Sequence, residues 1–227
     1  MAKVLRKEMK YLLPIKNALR LEKYFRGFLE LDNHGDHGGY FIRSQYYDSL
    51  YNRDLNDNLA GLHGKKKIRL RIYSLSDAMV KLELKSKQGA DSAKLTLSIS
   101  REEALSMEQG DFSFLLDYNN ELALHIYLLM MEGCYRPKVL IDYNRLAFFY
   151  PAGDVRVTFD RDIRVAPCAY GLFEDNMGLA LDMEERVLME VKYTGFLPET
   201  IGNVLMEADT LFTSHSKYSR GGMSVLG

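Results

Sequence analysis

The chain reads as an α+β protein built on a closed antiparallel β-barrel, with a basic polar lumen and helices packed outside. Three observations predict it. Residues 65–73 alternate strictly, with Lys67, Arg69, Arg71 and Tyr73 on one face and Ile68, Leu70 and Ile72 on the other. A few residues later Lys81, Glu83, Lys85 and Lys87 oppose Leu82 and Leu84, so the two runs make a hairpin turning at residues 74–77. The same period of two recurs along the chain, and its polar faces collect Arg6, Lys10, Lys67, Arg69, Arg71, Lys81, Lys85, Lys87, Lys94, Arg145, Arg156 and Lys192. Against them stand only Glu8, Glu83, Asp160 and Glu190. Like charges side by side on an open sheet cost stability. Closing the sheet turns these faces into a lumen, because interior and exterior residues alternate along every barrel strand. Such a lumen admits something long, narrow and highly anionic.

The elements follow in order. Residues 3–13 form a first strand. Pro14 suits the first turn of a helix whose stripe of Ile15, Ala18, Leu19, Leu21, Phe25, Phe28 and Leu29 runs to about Leu31. The loop 33–39 holds His34, Asp36 and His37, and is read as a solvated connection rather than a metal site, since it offers no rigid scaffold. Residues 40–48 are a second strand and 50–64 a short helix plus loop, punctuated by Gly61 and Gly64. After the basic hairpin, Leu95, Leu97 and Ile99 alternate with Lys94, Thr96 and Ser98. Ser100 with Glu103 is a capping box opening a helix to about Glu108. Residues 119–133 form a longer apolar helix. Strands at 138–150 and 154–160 are joined by a turn at 151–154, with Ile141, Tyr143 and Arg145 on one face of the first. Residues 165–182 read as irregular, 187–193 as a strand, and Pro198 starts a helix to about Leu211. The glycine-containing end, 220–227, reads as a loose tail. No repeat or linker divides the sequence, so a single domain over 1–227 is expected.

Composition narrows the class. The 227 residues are 47 % hydrophobic, with 30 basic and 31 acidic side chains and a net charge of −1, so positive charge is local rather than global. Two cysteines, Cys134 and Cys168, give neither a disulfide framework nor a zinc knuckle, which fits a reducing compartment. The apolar run 122–131 is interrupted by His125 and too short to span a bilayer, and the N-terminus lacks a signal-peptide core. A cytoplasmic protein is expected.

Among polyanions, nucleic acid is disfavoured, because Tyr73 and Tyr143 are the best stacking aromatics and no nucleic-acid motif is present. Nucleotide phosphates or inorganic polyphosphate fit better, since Arg and Lys need no base-reading apparatus to hold phosphate oxygens. Phosphoryl transfer asks mainly for positioning, charge neutralisation and a divalent metal. Glu190, on the same strand face as Lys192, suits Mg²⁺ or Mn²⁺, although the pair also reads as simple charge balance. No Walker loop or protein-kinase glycine motif occurs.

The stretches Glu8-Met9-Lys10-Tyr11, Ser44 to Ser49, Lys67 to Tyr73, Leu82 to Lys87, Tyr143 to Phe148, Arg156-Val157-Thr158-Phe159-Asp160, Leu188 to Lys192 and Ser216-Lys217-Tyr218 stand in the order seen in VTC domains. The chain resembles that family over nearly its whole length. The resemblance implies a triphosphate tunnel and an ATP-dependent polyphosphate polymerase that moves the γ-phosphate of ATP onto a growing polyphosphate chain. It implies Arg69, Arg71, Lys85, Arg145, Arg156 and Lys192 as catalytic residues. Phosphate and nucleotide contacts would come from Lys10, Lys67, Lys87, Lys94, Tyr143, Ser216 and Lys217, and Glu190 would hold Mn²⁺ or Mg²⁺. Tunnel hydrolases usually open with Glu-x-Glu-x-Lys, where this chain has Arg6-Lys7-Glu8-Met9-Lys10, and the missing carboxylate favours the polymerase. A hydrolase of triphosphates in the same tunnel and a non-catalytic polyphosphate or nucleotide sensor are the alternatives. No regulatory domain or membrane segment is read beside the barrel, so translocation of product is expected to need a separate membrane protein. Replacing Arg69 or Arg71 by Ala is expected to stop turnover and leave the fold intact, because each sits in a repelling cluster.

Overall fold

The computed structural model describes residues 6–32, 38–88, 91–167, 171–175, 180, 181, 186–207, 211, 212 and 216–226. In chain order the elements are β1 (Arg6–Pro14), α1 (Ile15–Phe25), β2 (Glu30–Leu31), β3 (Tyr40–Asp48), α2 (Arg53–Leu59), β4 (Lys65–Ile72), β5 (Met79–Gln88), β6 (Asp91–Ser100) and α3 (Arg101–Glu108). A short 3-10 helix (Ser113–Tyr118) follows, then α4 (Glu121–Glu132), β7 (Arg136–Tyr150), β8 (Val155–Pro167), β9 (Ala180–Leu181), β10 (Arg186–Thr194), α5 (Glu199–Glu207), β11 (Leu211–Phe212) and α6 (Lys217–Leu226). The hydrogen-bonded order is β11-β1-β10-β8-β7-β3-β4-β5-β6, with β2 on β7 and β9 on β8. No pair among the described residues joins β6 back to β11, so the ring that the sequence suggests is not closed by hydrogen bonds among them. The β11 end of the ladder is only two residues long.

Two compact units divide the chain, with boundaries inside β3, β7 and β8. The first comprises Met1–Phe41, Tyr143–Ile163 and Met183–Ser214. Here β1 pairs with β10 from Arg6↔Thr194 to Pro14↔Arg186, and β10 pairs with β8 from Leu188↔Asp160 to Lys192↔Arg156. Alternation sends Leu13, Val187, Met189, Val191, Val157 and Phe159 to one side, where Ala18, Leu21 and Phe25 of α1 and Ile201, Val204 and Leu205 of α5 cover them. α1 ends at Phe25 rather than near Leu31. The Gly27 amide bonds back to the Tyr24 carbonyl at 3.0 Å, and Glu30 and Leu31 then pair with Phe149 and Phe148 on β7. Phe28 and Leu29 keep the helical spacing but pack on this core from the turn.

The second unit comprises Ile42–Asp142, Arg164–Asp182 and His215–Gly227. Its core is Ile68, Leu70, Ile72, Val80, Leu82, Leu84 and Ile99, covered by Ala104 and Met107 of α3 and Ala123, Ile126 and Met130 of α4. The β4–β5 hairpin turns as the sequence suggests. The Asp77 carboxylate accepts the Tyr73 and Ser74 amides at 2.7 and 3.0 Å. The capping box is present, with the Glu103 amide donating to Ser100 Oγ at 3.2 Å and the Ser100 amide to Glu103 Oε2 at 2.6 Å. β8 extends to Pro167 and pairs with β9 through Arg164↔Leu181, so part of the stretch read as irregular is strand.

The end read as a loose tail is α6. Gly221 and Gly222 are buried there, and a Cβ on Gly222 would come within 2.8 Å of Leu55, so these glycines serve close packing rather than freedom. The histidine-bearing residues 33–37 lie outside the described residues, as do Cys168 and residues 208–210 of the expected last helix. Among the described residues no helix is long and apolar enough to cross a membrane.

Candidate functional site

In the second unit, register lines the polar residues of β3 to β6 into rows. Tyr46 stands beside Arg69, Arg69 beside Glu83 and Glu83 beside Thr96. Ser44, Arg71, Lys81 and Ser98 form the next row, and Lys67, Lys85 and Lys94 a third on the other side. All are on the face opposite the aliphatic core. Glu83, 1 % exposed, is the acid that register sets among these cations. Arg69 donates to it through Nε at 2.6 Å and through Nη1 to the Tyr46 hydroxyl at 2.8 Å, while Lys94 pairs with its other oxygen. Burial pushes the Glu83 carboxyl up, but Arg69, Arg71 and Lys94 outweigh it and hold it well below the usual carboxylate range. Arg71 Nε reaches Ser44 Oγ at 3.3 Å, and Lys67 Nζ donates to Ser216 Oγ at 2.7 Å. Ser216 in turn accepts the Ser219 amide at 3.1 Å, which caps the first turn of α6. Lys217 is buried at the start of the same helix, Lys85 is half-buried and Lys87 exposed.

In the first unit the corresponding face carries charge of both signs. Register sets Lys10 beside Glu190 and Glu8 beside Lys192, then Glu190 beside Thr158 and Lys192 beside Arg156. Lys192 Nζ lies 3.3 Å from Glu190 and 3.7 Å from Glu8, and Lys10 lies 3.0 Å from Glu8. Burial raises the Glu8 carboxyl and Glu190 adds to that, yet Lys192 and Lys10 bring it below its ordinary value. Arg145 grips Asp160 with two bonds of 2.6 and 2.7 Å, has Glu190 at 4.0 Å and stands 5.3 Å from the centre of the Tyr143 ring. Burial works against its charge, but Asp160 and its other neighbours keep it protonated well above the ordinary arginine range. Arg156 pairs with Asp32 and donates to the Tyr40 hydroxyl at 3.1 Å.

Every side chain expected at the site is thus described, in two sets. Lys10, Tyr143, Arg145, Arg156, Glu190 and Lys192 belong to the first unit, and Lys67, Arg69, Arg71, Lys85, Lys87, Lys94, Ser216 and Lys217 to the second. Sequence reasoning put Glu83 and Asp160 on the polar faces without saying which cations they hold, Arg69 and Arg145 respectively, and it missed Asp32 under Arg156 and the hydroxyls of Tyr46 and Tyr40. The pairing of Asp160 with Arg145 could have been found by counting the hairpin outward from its turn. Asp32 lies 124 residues from Arg156 and leaves no local signal. No group of three or more His, Cys, Asp or Glu that could hold a metal occurs among the described residues; Glu8 and Glu190 are two carboxylates of the first unit that share the Lys192 ammonium.

Antiparallel strands that alternate between a helix-covered core and a face of Arg, Lys and carboxylate are thus common to both units. The chain is similar in structure to a putative adenylate cyclase from Bacillus halodurans, with a TM-score of 0.56, 13 % identity, and coverage of 95 % of this chain and 98 % of that one. It is also similar to the putative adenylyl cyclase HpAC1 from Hippeastrum, whose structure is described as revealing a dominant triphosphatase activity, with a TM-score of 0.58, 13 % identity, and coverage of 96 % and 95 %. No curated protein matches the chain. The family model of the VTC domain matches residues 5–226, and the chain belongs to that family.

Proposed function

We propose that the chain is a metal-dependent polyphosphate polymerase that uses ATP. The observation that carries this reading is the crowding of Lys67, Lys85, Lys94, Arg69 and Arg71 on one sheet face of the second unit, with Glu83 set among them. That face suits a run of linked phosphates, each oxygen taking a lysine or arginine partner. In the reaction, a terminal oxygen of the polyphosphate attacks the γ-phosphorus of ATP, the bond to the β–γ bridging oxygen breaks, and ADP leaves. Arg145, Arg156 and Lys192 hold the phosphoryl oxygens of the transferring group. Arg145 is fixed for that work by its two bonds to Asp160. Lys10 and Tyr143 assist beside them, and Lys87, Ser216 and Lys217 extend the contacts of the basic face.

The carboxylates fit a divalent cation. Glu190 and Glu8 offer hard oxygen donors that now share the Lys192 ammonium, and Mn²⁺ or Mg²⁺ takes one or two carboxylates together with substrate phosphates. Such a cation would neutralise charge that develops on the phosphates. The chain works as a single domain in this reading, with ATP and inorganic polyphosphate as ligands, without nucleic acid, and with a separate membrane protein wherever product crosses a bilayer.

Incubation of the purified protein with ATP and Mn²⁺ is expected to yield long-chain polyphosphate and ADP, and the appearance of neither removes the reading. A triphosphate hydrolase is favoured in turn by the presence of Glu8 next to Lys192, which gives the face a second carboxylate beside Glu190 in addition to the Asp160 that Arg145 holds. Free phosphate without chain growth selects it. Tight binding without turnover, unchanged by Glu190→Gln, selects a sensor.

A further inference from the structure

Two hydrogen-bond donors on the polar face of the first unit have no partner among the described residues: Arg156 Nε and the Thr158 hydroxyl. They are two positions apart on β8, so they share a face, with Cα atoms about 7 Å apart. Thr158 is 2 % exposed and stands in register with Glu190, as Arg156 does with Lys192. The far end of the guanidinium is engaged, through Nη2, with Asp32 and Tyr40, while Nε is buried without a partner. A buried hydroxyl without a partner costs stability, and valine would fill the same volume without that cost. The hydroxyl is therefore accounted for by an acceptor that arrives from outside. Two donors on one strand face, beside the Lys192 ammonium, call for an acceptor with several anionic oxygens.

We propose that Thr158 and Arg156 Nε form a phosphoryl-binding subsite, both donating to oxygens of a single phosphate group in a triphosphate or polyphosphate ligand. The subsite rests on the phosphate-binding reading given above and adds Thr158 to it. Arg156 supplies charge and direction. Thr158 supplies a short donor fixed by the stiff χ1 of a β-branched side chain.

The test uses the full chain, Thr158→Val and Thr158→Ser, with calorimetric titration of inorganic tripolyphosphate in the presence of EDTA and thermal unfolding without ligand. Thr158→Val is expected to melt at or above the wild-type temperature, because an unpaired buried hydroxyl becomes a methyl group, and to bind tripolyphosphate about tenfold or more weakly. Thr158→Ser is expected to bind within about threefold of wild type, since the donor remains. Wild-type affinity in Thr158→Val overturns the subsite while leaving phosphate binding in place. A clear drop in its melting temperature does the same, as it shows the hydroxyl already bonded within the fold. Failure of the wild-type chain to bind tripolyphosphate, both in EDTA and with Mg²⁺ supplied instead, removes the subsite and the phosphate reading together.

Discussion

The Glu83 carboxylate takes bonds from Arg69 and Lys94 while almost wholly buried, and this changes what replacing Arg69 does. The crowding of lysines suggests that one cation can be lost without harm, yet Arg69→Ala strands a buried carboxylate. Breaking such a pair from one side costs about 3 kcal/mol, lessened here because Lys94 remains. We expect Arg69→Ala to lower the melting temperature and Glu83→Gln to restore much of it in the double variant. Failure of the second change to rescue would show that the loss comes from packing. The same carboxylate sets a pH dependence. Its folded value is depressed below the ordinary 4.5, so its contribution to stability is fully present above that pH and is lost as pH falls through the folded value. In Glu83→Gln the acid limb of the stability profile is expected to flatten. None of this was readable from the strand pattern, which shows which residues share a face but not which of them touch.

At the scale of elements, alternation made β4, β5, β7 and β10 legible, and the Ser100–Glu103 spacing made the start of α3 legible. Both signals are local. Ser100→Ala removes the side-chain half of the capping box and is expected to cost about 1 kcal/mol, measurable by denaturant unfolding. Gly39 was read only as the edge of a loop. It adopts a φ of +96°, and a Cβ there would lie 2.5 Å from the carbonyl oxygen of Arg145. Gly39→Ala is therefore expected to destabilise the protein by roughly 1–3 kcal/mol and to displace β7 next to Arg145, so that both unfolding and phosphate affinity report the change. An alanine variant with wild-type melting and binding would show that β7 yields at no cost. α6 was missed because its glycines look like freedom in sequence. Its Tyr218 ring stacks on Tyr46 at 4.8 Å and its hydroxyl donates to Asp48, contacts that join residues 170 or more apart. Burial and Asp48 push the Tyr218 hydroxyl far above its ordinary 10.0, so it stays protonated in the folded protein well past that pH.

Across the whole chain, net charge gave no hint of where the cations lie, because acid on helices and loops offsets them. The structure separates a face in the second unit where lysines and arginines surround Glu83 from one in the first unit where cations and carboxylates alternate. Tripolyphosphate affinity is expected to fall with ionic strength, since exposed charges are screened within about 10 Å at 0.1 M salt. Lys85→Gln is expected to make that fall shallower, and an unchanged slope would show that Lys85 is not among the contributing charges. The register of β10 has its own consequence. Glu190 and Lys192 sit one step from Val191 and Met189, so losing or gaining a single amino acid inside this strand would turn the carboxylate and ammonium into hydrocarbon and send aliphatic groups toward the charged side. Insertions and deletions can therefore be absorbed at bends such as Pro151 to Asp154, while the stretch from Arg186 to Thr194 must keep its length to the residue.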